Sequence, residues 1–328
     1  MTKMTTMAIL AALAIAPLSV SADELDDKMN GMLYPVVRVM CGWGGGSGTI
    51  IYSDDRDEEG RFDTFVMTNH HVIDGAIRIE QKWNSLKGKY ENVEERDRVQ
   101  VELFVYDRGK VIATQDFDAD IVAHSEDHDL AVLRLCYPRE IEYVAPLLAA
   151  DKSLRMFQDV YAVGCSLLHE PIATAGHVTD LEDMIDGVPY CMTTANIIFG
   201  NSGGAVFTEI GGVWYLTGVP SRVAVTHGSP ITHMAWFIPP DRIRTWVAEQ
   251  LLDFLVDPDR TPKQCFDERA KLLSPASGRS SKERNLSPYD YAPDGDGEIN
   301  PERAIVKPKP KPKPDPSKVY GPKVPKRS

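Results

Sequence analysis

Between residues 35 and 238 the chain breaks into short runs rich in Val, Ile, Thr, Phe and Tyr, separated by Gly, Asp and Asn turns. That rhythm is the pattern of an all-β barrel or sandwich. The runs are Pro35 to Met40, Gly48 to Tyr52, Thr64 to Thr68, Val99 to Tyr106, Ile121 to His124, Leu130 to Leu135, Val160 to Gly164, Ile172 to Val178, Ala205 to Thr208, Val213 to Val219 and Met234 to Ile238. Two packed antiparallel β-barrels fit their number. The period changes after Pro239-Pro240: Ile243, Trp246, Val247, Leu251, Phe254 and Leu255 recur at i, i+3, i+4 spacing, which predicts one amphipathic helix from Asp241 to Val256.

The two ends depart from this pattern. Lys3, an apolar run from Ala8 to Val20 and the small-residue site Val20-Ser21-Ala22 predict a secretory signal over 1–22, cleaved after Ala22; a retained membrane anchor is the alternative. Residues 23–257 form the globular domain, and 258–328 are polar and predicted to be disordered, ending in the repeat Lys307-Pro308-Lys309-Pro310-Lys311-Pro312-Lys313-Pro314. Alternating Lys and Pro favours an extended polyproline II spacer. Its sharper reading is a tether to an anionic envelope polymer, because basic residues concentrate there while the whole chain carries a net charge of −12. The same charge argues against a nucleic-acid partner. Asp294-Gly295-Asp296-Gly297-Glu298 invites a calcium-loop reading, but Ala292 and Arg303 would fall where ligating carboxylates are needed, so a turn is preferred. No metal or organic cofactor is expected. Of the five cysteines, Cys41 with Cys136 or Cys165 with Cys191 are candidate pairs in an exported protein; Cys265 is the fifth, and buried free thiols are the alternative.

Three motifs carry chemistry: Thr68-Asn69-His70-His71-Val72, His128-Asp129-Leu130-Ala131-Val132-Leu133 and Gly200-Asn201-Ser202-Gly203-Gly204. A serine hydroxyl attacks a carbonyl when a neighbouring imidazole takes its proton, and a carboxylate holding the other ring nitrogen fixes the tautomer. Gly200 to Gly204 also fits the G-x-S-x-G elbow of α/β-hydrolase esterases, with His227, His233 and Asp241 downstream as its partners. That elbow needs a helix after the serine. Here Ala205-Val206-Phe207-Thr208, a Gly211-Gly212 turn and Val213 to Val219 predict a β-hairpin instead.

Together with Gly46-Ser47-Gly48-Thr49-Ile50-Ile51, these motifs resemble the trypsin-like (chymotrypsin-fold) serine proteases, specifically the HtrA or Deg-type branch, over roughly residues 35 to 250. The resemblance implies a serine endopeptidase of two β-barrels acting on proteins or peptides through an acyl-enzyme. His71 is then the base, with His70 at the variable position. Asp129 is the orienting carboxylate, with Asp127 as rival, and Ser202 is the nucleophile. The amides of Gly200 and Ser202 form the oxyanion hole. The substrate pocket is assigned to Asn196, to the strand around Gly218, Val219 and Ser221, and to Ala235-Trp236-Phe237. With no aspartate at the pocket floor, small to medium apolar side chains are expected at the cleaved position. Asn201, where the digestive trypsins have an aspartate that pairs with a new N-terminus, implies no zymogen-type activation. The charged insertion Lys82 to Arg98 is expected to be a surface loop, and no PDZ-like domain follows the protease region. The competing classes are an inactive protease-like binding or docking module, which predicts damage to the triad or its glycines, and a structural head for the Lys-Pro tail.

Overall fold

The chain enters through α1 (Ala22–Lys28) and a short π-helical turn, Met29–Leu33, which buries Met32. Strands β1 (Val36–Cys41), β2 (Gly44–Asp57) and β3 (Arg61–Thr68) follow, then the short helix α2 (His70–Ile73). A hairpin of β4 (Ile77–Asn84) and β5 (Lys89–Arg96) stands apart as its own two-stranded sheet. β6 (Val99–Asp107), β7 (Lys110–Ser125) and β8 (Leu130–Leu135) complete a closed antiparallel barrel in the order β1-β2-β3-β8-β7-β6. The computed structural model describes residues 22–57, 61–85 and 88–273.

The second barrel is built from β9 (Asp159–Gly164), β10 (Ile172–Ile185), β11 (Val188–Thr193), β12 (Ala205–Ile210), β13 (Val213–Thr226) and β14 (Ser229–Ile238). It closes in the order β10-β11-β14-β13-β12-β9. Its β12–β13 turn uses Gly211 and Gly212 at φ 65° and 80°, the left-handed pair that a two-residue hairpin demands.

Strand β8 shows why the barrels pack together. Ala131, Leu133 and Leu135 face the first barrel's interior with Val37, Ile50, Val66 and Ile121. Leu130 and Val132 alternate to the outer face, as a period of two requires, and join a larger cluster with Phe207, Leu216 and Trp246 from the second half of the chain. Every side chain of this strand is buried, so both faces are covered. Its only charge, Arg134, is neutralised by Asp63, with Nη2 to Oδ1 at 2.8 Å.

The predicted helix from Asp241 to Val256 is shorter than its periodicity suggests. α3 spans Pro240–Glu249 and buries Ile243, Trp246 and Val247; Leu251 then turns left-handed at φ 53°, and Asp253–Leu255 form a 3-10 turn. The predicted disorder from residue 258 is corrected over α4 (Pro262–Leu273), where Cys265, Phe266 and Arg269 are buried. Phe266 stacks on Phe65 of β3 at 6.2 Å, and Arg269 donates to the carbonyls of Gln250 and Val122. The insertion at Lys82 to Arg98 is a hairpin held by the pairs Arg78–Asp97 and Lys82–Glu95 rather than a loop. All five cysteines are free, so neither anticipated pair is joined. Burial pushes the thiols of Cys165 and Cys191 up to about 12, which keeps them protonated and inert. The signal segment 1–21, the Asp-Gly stretch near 294 and the Lys-Pro tail lie outside the described residues.

Candidate active site

The first half of the site sits where β3 ends. Asn69, buried and extended at φ −85°, ψ 152°, stops the strand and starts the single turn of α2. That turn sends Val72 and Ile73 into the core and leaves His71 outward, its side chain 42% exposed. His70, the variable position, instead stacks on His124 at 5.1 Å.

Asp129 opens β8 in a left-handed conformation, φ 54°, that a non-glycine residue adopts only when its surroundings impose it. Those restraints are visible. Asn69 Nδ2 donates to the Asp129 carbonyl at 2.7 Å, and Arg242 of α3 donates to the preceding carbonyl of His128 at 3.3 Å. The carboxylate is thereby aimed at His71: Oδ1 lies 2.8 Å from Nδ1 and accepts the His71 backbone N–H at 3.2 Å. Ser221 donates to Oδ2 at 2.6 Å. Burial alone would raise this carboxyl, but the His71 and Ser221 hydrogen bonds outweigh it and hold Asp129 below the ordinary aspartate range. An ionised Asp129 needs the proton on His71 Nδ1, which leaves Nε2 with its lone pair as a base. Asp127 is exposed, and it is Asp129 that meets the imidazole.

The second half comes from the turn before β12. Ser47 N donates to the Ser202 carbonyl at 2.7 Å, and Gly203 N donates to Pro220, next to Ser221, at 3.2 Å. A side chain at Gly46 would strike both Ser202 O and Val72 at 2.7 Å, so only glycine lets the serine turn approach the histidine helix. The Ser202–Gly203 turn is thus tied to Ser47 of the first barrel on one side and to Pro220 on the other. Among the described residues no hydrogen bond joins Ser202 Oγ to His71; such contacts commonly close only when substrate is bound. Gly200 sits at φ 95°. Among the described residues neither its amide nor that of Ser202 donates to a protein group, so both remain available to an oxyanion. Asn201 is fully buried, and its Oδ1 accepts from Ser166 Oγ at 2.8 Å and Ile198 N at 3.2 Å. The Asn201 carbonyl oxygen is thus satisfied by groups of its own half of the chain.

The pocket residues divide. Asn196 is exposed, with its carbonyl held by Thr174 at 2.7 Å and its Oδ1 by Thr232 at 3.1 Å. Val219 and Ala235 are 1% and 0% exposed and pack in the cores, and any side chain at Gly218 would collide with Phe237. At these three positions any contact with a substrate falls to the backbone rather than to a side chain. Phe237 is core, and Trp236 donates to Asp183 at 2.8 Å. Ser221 joins the carboxylate network through its hydroxyl. Asn69 and Arg242 were not anticipated as site residues; Asn69 stands inside the histidine motif, whereas nothing in the sequence ties Arg242 to residue 128.

This architecture, with its serine, histidine and aspartate at the seam of two closed barrels, is that of a chymotrypsin-fold serine peptidase. The family model described as "Trypsin-like peptidase domain" matches residues 46–214, just over half of the chain, and the chain belongs to that family. It is 26% identical over 194 residues to the periplasmic pH-dependent serine endoprotease DegQ of Escherichia coli (strain K12), a match that covers 58% of this chain and 35% of DegQ. The chain therefore spans about a third of that relative's length. Among solved structures it is similar in fold to the HtrA-type protease AlgW with tripeptide, with a TM-score of 0.50 and 17% identity, over 70% of this chain and 63% of that one. An α/β-hydrolase is overturned by both fold and family, since a strand rather than a helix follows Ser202.

Proposed function

We propose that the protein is an exported serine endopeptidase in which Ser202 attacks the peptide carbonyl, His71 Nε2 takes its proton and Asp129 stabilises the imidazolium that results. The amides of Gly200 and Ser202 receive the negative charge of the tetrahedral intermediate. His71 then gives the proton to the leaving amine, and water hydrolyses the acyl-serine by the reverse route. The observation that carries this reading is the Ser221–Asp129–His71 hydrogen-bond chain running into the seam that holds Ser202. The intact triad and the free oxyanion amides favour an enzyme over a binding module.

The neutral side-chain amide of Asn196, held by Thr232 while Thr174 holds its backbone carbonyl, supports a preference for small to medium apolar side chains at the cleaved position, because no charge there attracts Lys or Arg. The signal-like residues 1–22 and the periplasmic relative support export. The Lys-Pro tail, by its charge, suits an anionic envelope polymer. Labelling of purified protein by a fluorophosphonate probe tests the central claim: wild type labels, while Ser202→Ala and His71→Ala do not. Wild type that stays unlabelled would sink it.

A further inference from the structure

Three residues of the first barrel that the triad does not use form a row pointing at the second. Ser47 on β2 pairs across the sheet with Arg38 on β1, and Arg38 pairs with Glu102 on β6, so their side chains emerge together on one face. They are 0%, 7% and 4% exposed. Arg38 forms an ion pair with Glu102 and also donates through Nη1 to the carbonyl of Leu168 at 2.6 Å. Ser47 Oγ donates to the Gly200 carbonyl at 2.7 Å and accepts the amide of Cys165, also at 2.7 Å.

What this row grips is the turn Ser166–Leu168, in which two consecutive non-glycine residues, Leu167 and Leu168, are left-handed at φ 52° and 60°. Such a conformation persists only when it is over-determined. Its consequence lies one hydrogen bond further on: Leu167 N donates to the Phe199 carbonyl at 2.7 Å. In a trans peptide the C=O and N–H point opposite ways, so anchoring Phe199 O on Leu167 turns the Gly200 N–H away from that turn. This N–H is one of the two oxyanion donors. Reversing the peptide would put a carbonyl where a donor is needed.

The geometry points to Ser47, Arg38 and Glu102 as positioning residues that set the orientation of the Phe199–Gly200 peptide, so that the first barrel assembles the oxyanion hole of the second. The inference rests on the proposed peptidase activity and adds its means of alignment. It is tested with Ser47→Ala and with the double variant Arg38→Met/Glu102→Met, which removes both buried charges together and leaves neither unpaired. Each is assayed for kcat and KM on a peptide anilide with alanine at the cleaved position, for inhibition by the matching peptide boronate, whose tetrahedral adduct needs the oxyanion donors, and for its thermal transition. The expected result is a cooperative transition, a kcat lowered about 100-fold with KM within about twofold, and a boronate inhibition constant raised by a similar factor. Wild-type kcat and boronate affinity in a folded variant would overturn the inference, as would a change confined to KM. If the double variant does not fold, Ser47→Ala decides alone. Wild type that neither labels with fluorophosphonate nor cleaves the anilide would instead fail the underlying activity, a result distinct from an active wild type with equally active variants.

Discussion

The two barrels equip the site by different physical means. The first contributes the proton-handling side chains: His71 and Asp129 reach each other across 58 residues, and hydrogen bonds from Asn69 of the same barrel and Ser221 of the second fix where they point. The second contributes, besides the Ser202 hydroxyl, backbone: a turn in which Gly200 and Gly203 lie at φ 95° and 82°, with the amides of Gly200 and Ser202 left free to donate among the described residues. Side chains can be tuned one bond at a time, whereas a turn of this kind is right or reversed as a whole. The proton-handling half should therefore fail by degrees and the oxyanion half in a single step.

The sharpest way to break that division is to remove one member from each side. Ser202→Ala and His71→Ala should each lower kcat on the order of 10⁵–10⁶-fold, and the double variant should be no worse than either, because residues acting as a unit are not additive. Losses that multiply would mean the halves act independently. Asp129→Asn comes next, with kcat reduced by about 10⁴ as the amide favours the wrong imidazole tautomer while the geometry stays intact. Gly200→Ala forces a side chain into the Cys165 carbonyl at a left-handed position. It should lose about 10²–10³ in kcat with little change in KM, the signature of a missing oxyanion donor. A graded loss that rescues with substrate concentration would break the comparison.

The smallest effect concerns a pair packed behind His70, next to the histidine of the first barrel. Glu94 accepts from His124 at 2.9 Å, and His124 stacks on His70. The bond from His124 holds the Glu94 carboxyl down at about 2, from an unperturbed 4.5. Because the folded value lies below the unfolded one, its contribution is present above about pH 4.5 and is lost as pH falls toward about 2. Glu94→Gln should lower Tm at neutral pH by about 2–4 °C for each kcal/mol lost and flatten the decline of Tm over that acid window. A melting curve series in which both proteins decline alike would show that the pair does not couple to folding.

The parts legible in sequence are those that local rules dictate. The eleven β-type runs fall within observed strands, give or take a terminal residue, because alternation and turn chemistry act over a few positions. The histidine, aspartate and serine motifs stand out in the sequence because each has fixed local company. The failures are tertiary. Half of residues 262–273 are polar or charged, and the helix they form buries Cys265, Phe266 and Arg269 against the rest of the fold. The hairpin over 77–96 hides its register in charge pairs across strands rather than in an apolar stripe.

Helix α4 has a consequence for the order in which the molecule can be completed. Phe65 lies early in the chain, yet its ring packs on Phe254 at 4.9 Å and on Phe266 at 6.2 Å, and Val122 gives a carbonyl to Arg269. During synthesis or transport the first barrel can close its own sheet but must keep that apolar face uncovered until about 130 further residues, from Leu135 to Phe266, have arrived. The last helix thus acts as a latch, and a nascent chain held short of it presents the seam as an adhesive surface to whatever accompanies it.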